Sequence, residues 1–227
     1  MSAVKDSIEE MLNGFILLQS KVEGECNFSL VKFDDQYEKA ITNMPIKDVG
    51  RITLEPRGST ALLDAIGRTV DDVGAELSAM PECDRPNKVM VVVVTDGYEN
   101  SSSKYVGFVG AKSSRIHNMI THQRERYQWE FVFIGADQDA IAVGSGMGFE
   151  PGKTLNYTNT TVGVRGMGMR FSNMTKSYRT CADPAIASDA VEQLCSANAN
   201  TVTAEEATQY EAALKQALAG TTPANGQ

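Results

Sequence analysis

Two oxygen-bearing side chains stand where an α/β protein concentrates its chemistry. Asp96 ends the run Lys88-Val89-Met90-Val91-Val92-Val93-Val94-Thr95-Asp96-Gly97, whose unbroken aliphatic stretch predicts a central parallel strand covered on both faces. Open α/β sheets place ligands at the carboxyl ends of their strands, so this carboxylate is delivered to a site-forming edge. Thr60 lies in Arg57-Gly58-Ser59-Thr60-Ala61-Leu62-Leu63-Asp64-Ala65-Ile66, a glycine-set turn with a hydroxyl at the mouth of a helix. A hydroxyl and a carboxylate are hard oxygen ligands, suited to magnesium or manganese rather than zinc. Each also has a structural use, the threonine as a helix cap and the aspartate as an acceptor for turn amides.

The elements around them follow from periodicity. Val4, Ile8, Met11, Leu12, Phe15 and Leu18 predict an amphipathic helix over residues 3–19. Alternation from Asn27 to Phe33 and again from Tyr37 to Ile41, with Asp34-Asp35-Gln36 between, predicts a hairpin at a sheet edge. Asp34 and Asp35 read as turn residues rather than ligands. Leu62, Ile66, Val70, Val73, Leu77 and Met80 mark one helix face that Pro81 ends. Beyond the valine run come a helix over 113–127, a strand over 129–136, a short helix with Asp137 as candidate cap, a strand over 154–157 and a glycine-containing helix to 178. A shift to Ala, Ser, Asn and Thr after Arg179 marks an appendage over 181–219. It holds a possible helix near 188–195 and a second helix opened by the capping box Thr203-Ala204-Glu205-Glu206. That helix reads as docked on the flank of the domain or as an oligomerisation surface, and 220–227 reads as a disordered tail.

Gly58-Ser59-Thr60-Ala61-Leu62-Leu63-Asp64-Ala65-Ile66 followed by Val92-Val93-Val94-Thr95-Asp96-Gly97 resembles the von Willebrand factor A domain, in particular its small intracellular bacterial and phage forms. The resemblance covers residues 1–180. It implies an α/β, doubly wound, Rossmann-like sheet flanked by helices, and a metal-ion-dependent adhesion site. That site combines an Asp-x-Ser-x-Ser loop after the first strand with a threonine and an aspartate, which Thr60 and Asp96 match. The implied cofactor is magnesium, manganese or calcium. Its open coordination position takes an Asp or Glu from an unidentified protein partner, and the segment Tyr98, Glu99, Asn100, Ser101 to Tyr105 lines the same rim as candidate partner-binding residues.

The chain departs from this pattern at its start, where Met1-Ser2-Ala3-Val4-Lys5-Asp6-Ser7 leads directly into the first helix. The first, central strand and its metal loop have no counterpart. Losing about four buried aliphatic side chains at ~1.5–3 kcal/mol each removes roughly 6–12 kcal/mol. A whole domain has only about 5–15 kcal/mol. The arithmetic favours Met1 being an internal methionine of a longer chain. The other reading is a truncated domain whose gap is filled by the C-terminal region or by a partner.

Composition narrows the function classes. The 227 residues are 42% hydrophobic and 22% charged, enough for one domain with an appendage. A net charge of −8 argues against a nucleic-acid surface, and the basic stretch from Lys112 to Arg126 reads as a solvated helix face. With neither a leader nor a membrane-length apolar window, the expected compartment is the cytoplasm. Cys26, Cys83, Cys181 and Cys195 show no metal or redox spacing and read as free thiols.

An enzyme is the weaker expectation. No Gly-x-x-x-x-Gly-Lys-Ser/Thr loop and no Gly-x-Ser-x-Gly elbow occurs, and His117 and His122 are five apart, off the spacing of a metal pair on one helix face. Magnesium-dependent phosphoryl transfer at Asp96 is therefore a minor alternative. The expected function is a protein-binding module without catalysis, with a metal-free scaffold as the main alternative and homo-oligomerisation compatible with either.

Overall fold

A hairpin and a parallel sheet form separately in this chain. The computed structural model describes residues 2–55, 58–106, 115–136, 140–196 and 203–219. Strands β1 (Asn27–Phe33) and β2 (Tyr37–Pro45) pair antiparallel, with a bulge near Leu30. Strands β3 (Met90–Thr95), β4 (Glu130–Ala136) and β5 (Thr154–Tyr157) form a parallel sheet in the order β3-β4-β5. The helices are α1 (Ser2–Ser20), α2 (Leu62–Ala79), α3 (Arg115–Tyr127), α4 (Ala140–Gly146), α5 (Thr161–Thr180), α6 (Pro184–Ser196) and α7 (Ala204–Ala219). The chain is thus mixed α/β in the expected element order. None of the helices among the described residues is long and apolar enough to cross a membrane.

Two cores flank the strands. On one face Met11, Phe15, Val132, Ile134, Met167 and Phe171 are buried together, with the rings of Phe15 and Phe171 stacked at 4.0 Å. On the other Leu62, Ile66, Val70, Ile116, Ile120, Phe131 and Phe133 pack beneath α2 and α3. The hairpin contributes to both, for Phe28 and Leu30 pack on the first core and Phe33 on the second. Residues of the hairpin and of the parallel sheet therefore pack on the same two cores.

The appendage belongs to this packing. Ala187, Val191 and Cys195 of α6 and Tyr210 of α7 sit in the first core. The Tyr210 hydroxyl donates to the Met11 carbonyl at 2.6 Å. Its ring reaches α1 and α5 because Gly14 and Gly168 lack side chains. A Cβ on Gly168 would stand 2.9 Å from the ring, and one on Gly14 would collide with the hydroxyl. The capping box forms as expected, with the Glu206 N–H on Thr203 Oγ1 and the Thr203 N–H on the Glu206 carboxylate. All four cysteines are free. Met1, the candidate cap Asp137 and the tail 220–227 fall outside the described residues.

One expectation needs correction. The valine run packs on a core at each face, Met90, Val92 and Val94 on the first and Val91 and Val93 on the second, but it is not central, because among the described residues β3 is hydrogen-bonded to β4 alone and forms the edge of a three-stranded sheet. Met90, Val91, Val92 and Val94 are consequently only half-buried, whereas every residue of β4 is buried. Burial also depends on neighbours at both edges, and among the described residues only one edge of β3 is paired.

The segment before β1 and the start of β3 are both tied to the end of α5. The Arg179 guanidinium donates to the Gln19 carbonyl at 2.7 Å and to the Val22 and Gly24 carbonyls at 3.3 Å each. Lys88 donates to the Tyr178 carbonyl at 2.6 Å and also to that of Cys181. Replacing Arg179→Met should strand these carbonyls and cost roughly 1.5–3 kcal/mol, read as a lower urea midpoint with an unchanged slope.

Candidate functional site

The segment after β3 is fastened to the start of α2 by side chains from both. Helix α2 has Ala61 at its N-cap and no capping side chain of its own. Its open N–H groups are met from across the crevice instead. Leu63 N–H donates to Glu99 Oε2 at 2.9 Å and Asp64 N–H to Ser102 Oγ at 3.1 Å. In return the Asp64 carboxylate accepts the N–H groups of Ser103, Lys104 and Tyr105 at 2.8–2.9 Å. Asn100 closes a reciprocal pair with Thr60, Oδ1 accepting the Thr60 N–H at 2.9 Å and N–H reaching the Thr60 carbonyl at 3.0 Å.

This clasp decides what each candidate residue is left to do. Thr60 does not cap its helix, and the turn at Gly97 is made by Thr95, whose Oγ1 accepts the Gly97 N–H at 3.1 Å. Both structural uses are thus taken by other residues, and neither the Thr60 hydroxyl nor the Asp96 carboxylate has a hydrogen-bond or ion-pair partner among the described residues. The two belong to one rim, since a Cβ on Gly97 would stand 2.8 Å from Thr60 Oγ1. Asp96 is exposed and Thr60 half-buried.

The candidate partner-binding residues divide. Tyr98 is 61% exposed and free to meet a second surface. Ser101 is also exposed, while Glu99 and Asn100 are occupied by the clasp. Tyr105 is buried against Gly67, with its hydroxyl 2.5 Å from Asp71 Oδ2 and the Arg115 guanidinium over its ring at 4.2 Å. Burial and the Asp71 carboxylate push this phenol up to about 12. It is a plug between α2 and α3 rather than a presented ring. Asp34, at the hairpin tip, makes the expected turn, accepting the Gln36 N–H at 2.6 Å.

Hard oxygen ligands are the right type for magnesium, but Thr60 and Asp96 supply two of roughly six positions. Among the described residues no three His, Cys, Asp or Glu side chains gather as a metal group. Two such oxygens leave most of an octahedral shell to be filled by water or by other ligands.

Sequence reasoning missed the role of Asp64 and the buried Lys153. The Lys153 ammonium, at the opposite end of the sheet, holds Glu130 at 2.8 Å, Glu150 at 2.6 Å and Ser188 Oγ at 2.6 Å. That cluster ties α6 to β4. An acidic residue in the first turn of a helix was the available signal for Asp64.

Compared with family models, with curated proteins and with solved structures, the chain matches none.

Burial raises the Asp64 pKa, but the N–H groups of Ser103, Tyr105 and Lys104 outweigh it, and the net direction is downward. A carboxylate depressed in the folded state stabilises above its unfolded pKa of about 3.9 and loses that contribution as pH falls through the native value. Asp64→Asn should therefore cost about 1 kcal/mol at pH 7, after discounting for solvent screening. The difference from the unmutated protein should vanish in acid, as followed by urea denaturation across pH.

Proposed function

We propose that this chain is a non-enzymatic protein-binding module, and that its binding rim is the carboxyl end of β3 with the start of α2. The observation that carries this reading is the allocation of polar groups there. Glu99, Asn100, Ser102 and Asp64 are consumed in building the rim, while Thr60 Oγ1, the Asp96 carboxylate and the exposed Tyr98 are left over. Those three offer two hard oxygens and an aromatic anchor, a combination suited to a protein surface that presents a carboxylate.

A divalent cation, magnesium first and manganese or calcium as substitutes, would be held by Thr60 and Asp96 and bridge to an Asp or Glu of the partner. The likeness of the Thr60 and Asp96 segments to the von Willebrand factor A domain supports this arrangement, and so does the order of elements. With only two protein ligands, affinity for the cation alone should be weak, roughly 10⁻⁴–10⁻³ M. A metal-free scaffold is the second reading, favoured by that same shortage of ligands.

Magnesium titration followed by backbone NMR, with and without acetate as a stand-in for the partner carboxylate, separates the two. The expected result is a saturable shift at Thr60, Asp96 and Gly97 that acetate strengthens, lost in Asp96→Asn and weakened in Thr60→Ala. A titration that leaves these amides unmoved would remove the cation bridge and leave the scaffold reading.

A further inference from the structure

An open groove of about 530 Å³ lies between α2 and α3, with Val70 of α2 and Met119 of α3 as its apolar lining. At one end the Tyr105 ring is seated against Gly67, where no Cβ could stand. The Tyr105 hydroxyl donates to Asp71 Oδ2 at 2.5 Å, and the Arg115 guanidinium covers the Tyr105 ring at 4.2 Å. A single side chain therefore orients an anion and a cation, whose nearest atoms stand 3.9 Å apart. Neither charge is used up. They are beyond hydrogen-bond reach of each other. Asp71 Oδ1 accepts nothing among the described residues, and a guanidinium stacked by its face keeps its edge N–H groups for a planar anion. Both side chains are open to solvent, at 53% and 57% exposure.

Further along the groove the polar groups are two amides and an imidazole. Asn118, His122 and Gln123 follow Arg115 at helical spacing and line the same groove. His122 is two turns away, about 10 Å along the axis. None of the three side chains makes a hydrogen bond among the described residues. The other polar side chains of α2 contrast with this, for Asp72 and Glu76 hold Lys39, and Asp72 also holds Arg68.

We propose that the α2–α3 groove binds a free α-amino acid of the glutamine type. Arg115 takes its carboxylate, Asp71 takes its ammonium group, and its side chain lies over Met119 and Val70 toward the amides of Asn118 and Gln123. In an α-amino acid the ammonium nitrogen and the carboxylate oxygens are joined through one carbon and stand roughly 3 Å apart. A fixed cation and anion at 3.9 Å match that spacing. Asp71 repels a lone anion and Arg115 a lone cation, so the pair selects a molecule that carries both charges. The apolar lining calls for an aliphatic stem and the uncommitted amides for an uncharged polar tip, which is the side chain of glutamine. Tyr105 is a positioning residue that acts through Asp71 and Arg115. The groove shares no residue with the rim at Thr60 and Asp96, and its ligand needs no cation.

The test is a titration of the full chain with L-glutamine, followed by backbone NMR in chelator-containing buffer. The expected result is a saturable shift at Asp71, Arg115, Asn118, Met119 and Gln123, with Thr60 and Asp96 unmoved and a Kd of roughly 1 mM, suited to so small a ligand in an open groove. N-acetylglutamine and glutaminamide each lack one of the two charges and should bind at least about tenfold more weakly. The exposed changes Asp71→Asn and Arg115→Met should weaken glutamine to the same degree, with the remaining amides unshifted as the sign of an intact fold. Tyr105→Phe keeps the ring under Arg115 and removes the bond to Asp71, so it should weaken glutamine and leave N-acetylglutamine unchanged, whereas a general loss of structure would weaken both. The proposal is overturned if glutamine at about ten times that concentration leaves the groove amides unmoved. It is equally overturned if N-acetylglutamine or glutaminamide binds as tightly as glutamine, which would make the groove a site for a single charge.

Discussion

Two carboxylates facing each other across one crevice hold the segment after β3 to the start of α2. Glu99, from the segment after β3, accepts from the first turn of α2, and Asp64, from that first turn, accepts three consecutive N–H groups of the segment. The arrangement uses a property of every helix start, a set of unpaired N–H groups with a positive dipole end, as the anchor for a distant segment. Because both partners are charged acceptors, each bond is stronger than its neutral equivalent. The position of Thr60, the exposure of Tyr98 and the insertion of Tyr105 beneath Arg115 all follow from this clasp.

The order and type of the elements were legible in the sequence because they rest on local signals. Periodicity located α1, α2 and α5, the capping box located α7, and Asp34 marked the hairpin turn. Gly168 of α5, which weakens the helix by propensity, is explained by Met11 and Tyr210 packing where its Cβ would sit. Only tertiary contact shows that. The burial of the valine run was misjudged for a related reason. An aliphatic run states what a strand needs on its faces and says nothing about which of its edges is occupied, since edge pairing is made by residues far away in the chain.

The candidate site was half legible. Thr60 and Asp96 could be named as candidates from residue type and position, and Gly97, next to Asp96, lies against the Thr60 hydroxyl. Glu99, Asn100 and Tyr105 could be placed near that rim but not assigned a task, because polar and aromatic side chains in a connection read the same whether they face solvent or a helix start. The distinction lies in pairings across 36 to 41 positions of sequence. No periodic pattern encodes those.

The Tyr210 hydroxyl on the Met11 carbonyl joins residues 199 positions apart. Synthesis on the ribosome delivers Met11 well before Tyr210, so α1 must wait for nearly two hundred further residues before the side chain that completes its packing is made. Contacts of such long range slow folding and leave early segments exposed meanwhile. The apolar face of α1 therefore stays uncovered until α7 has been made, and emergence of that helix, rather than of the strands, sets the moment at which the first core can close.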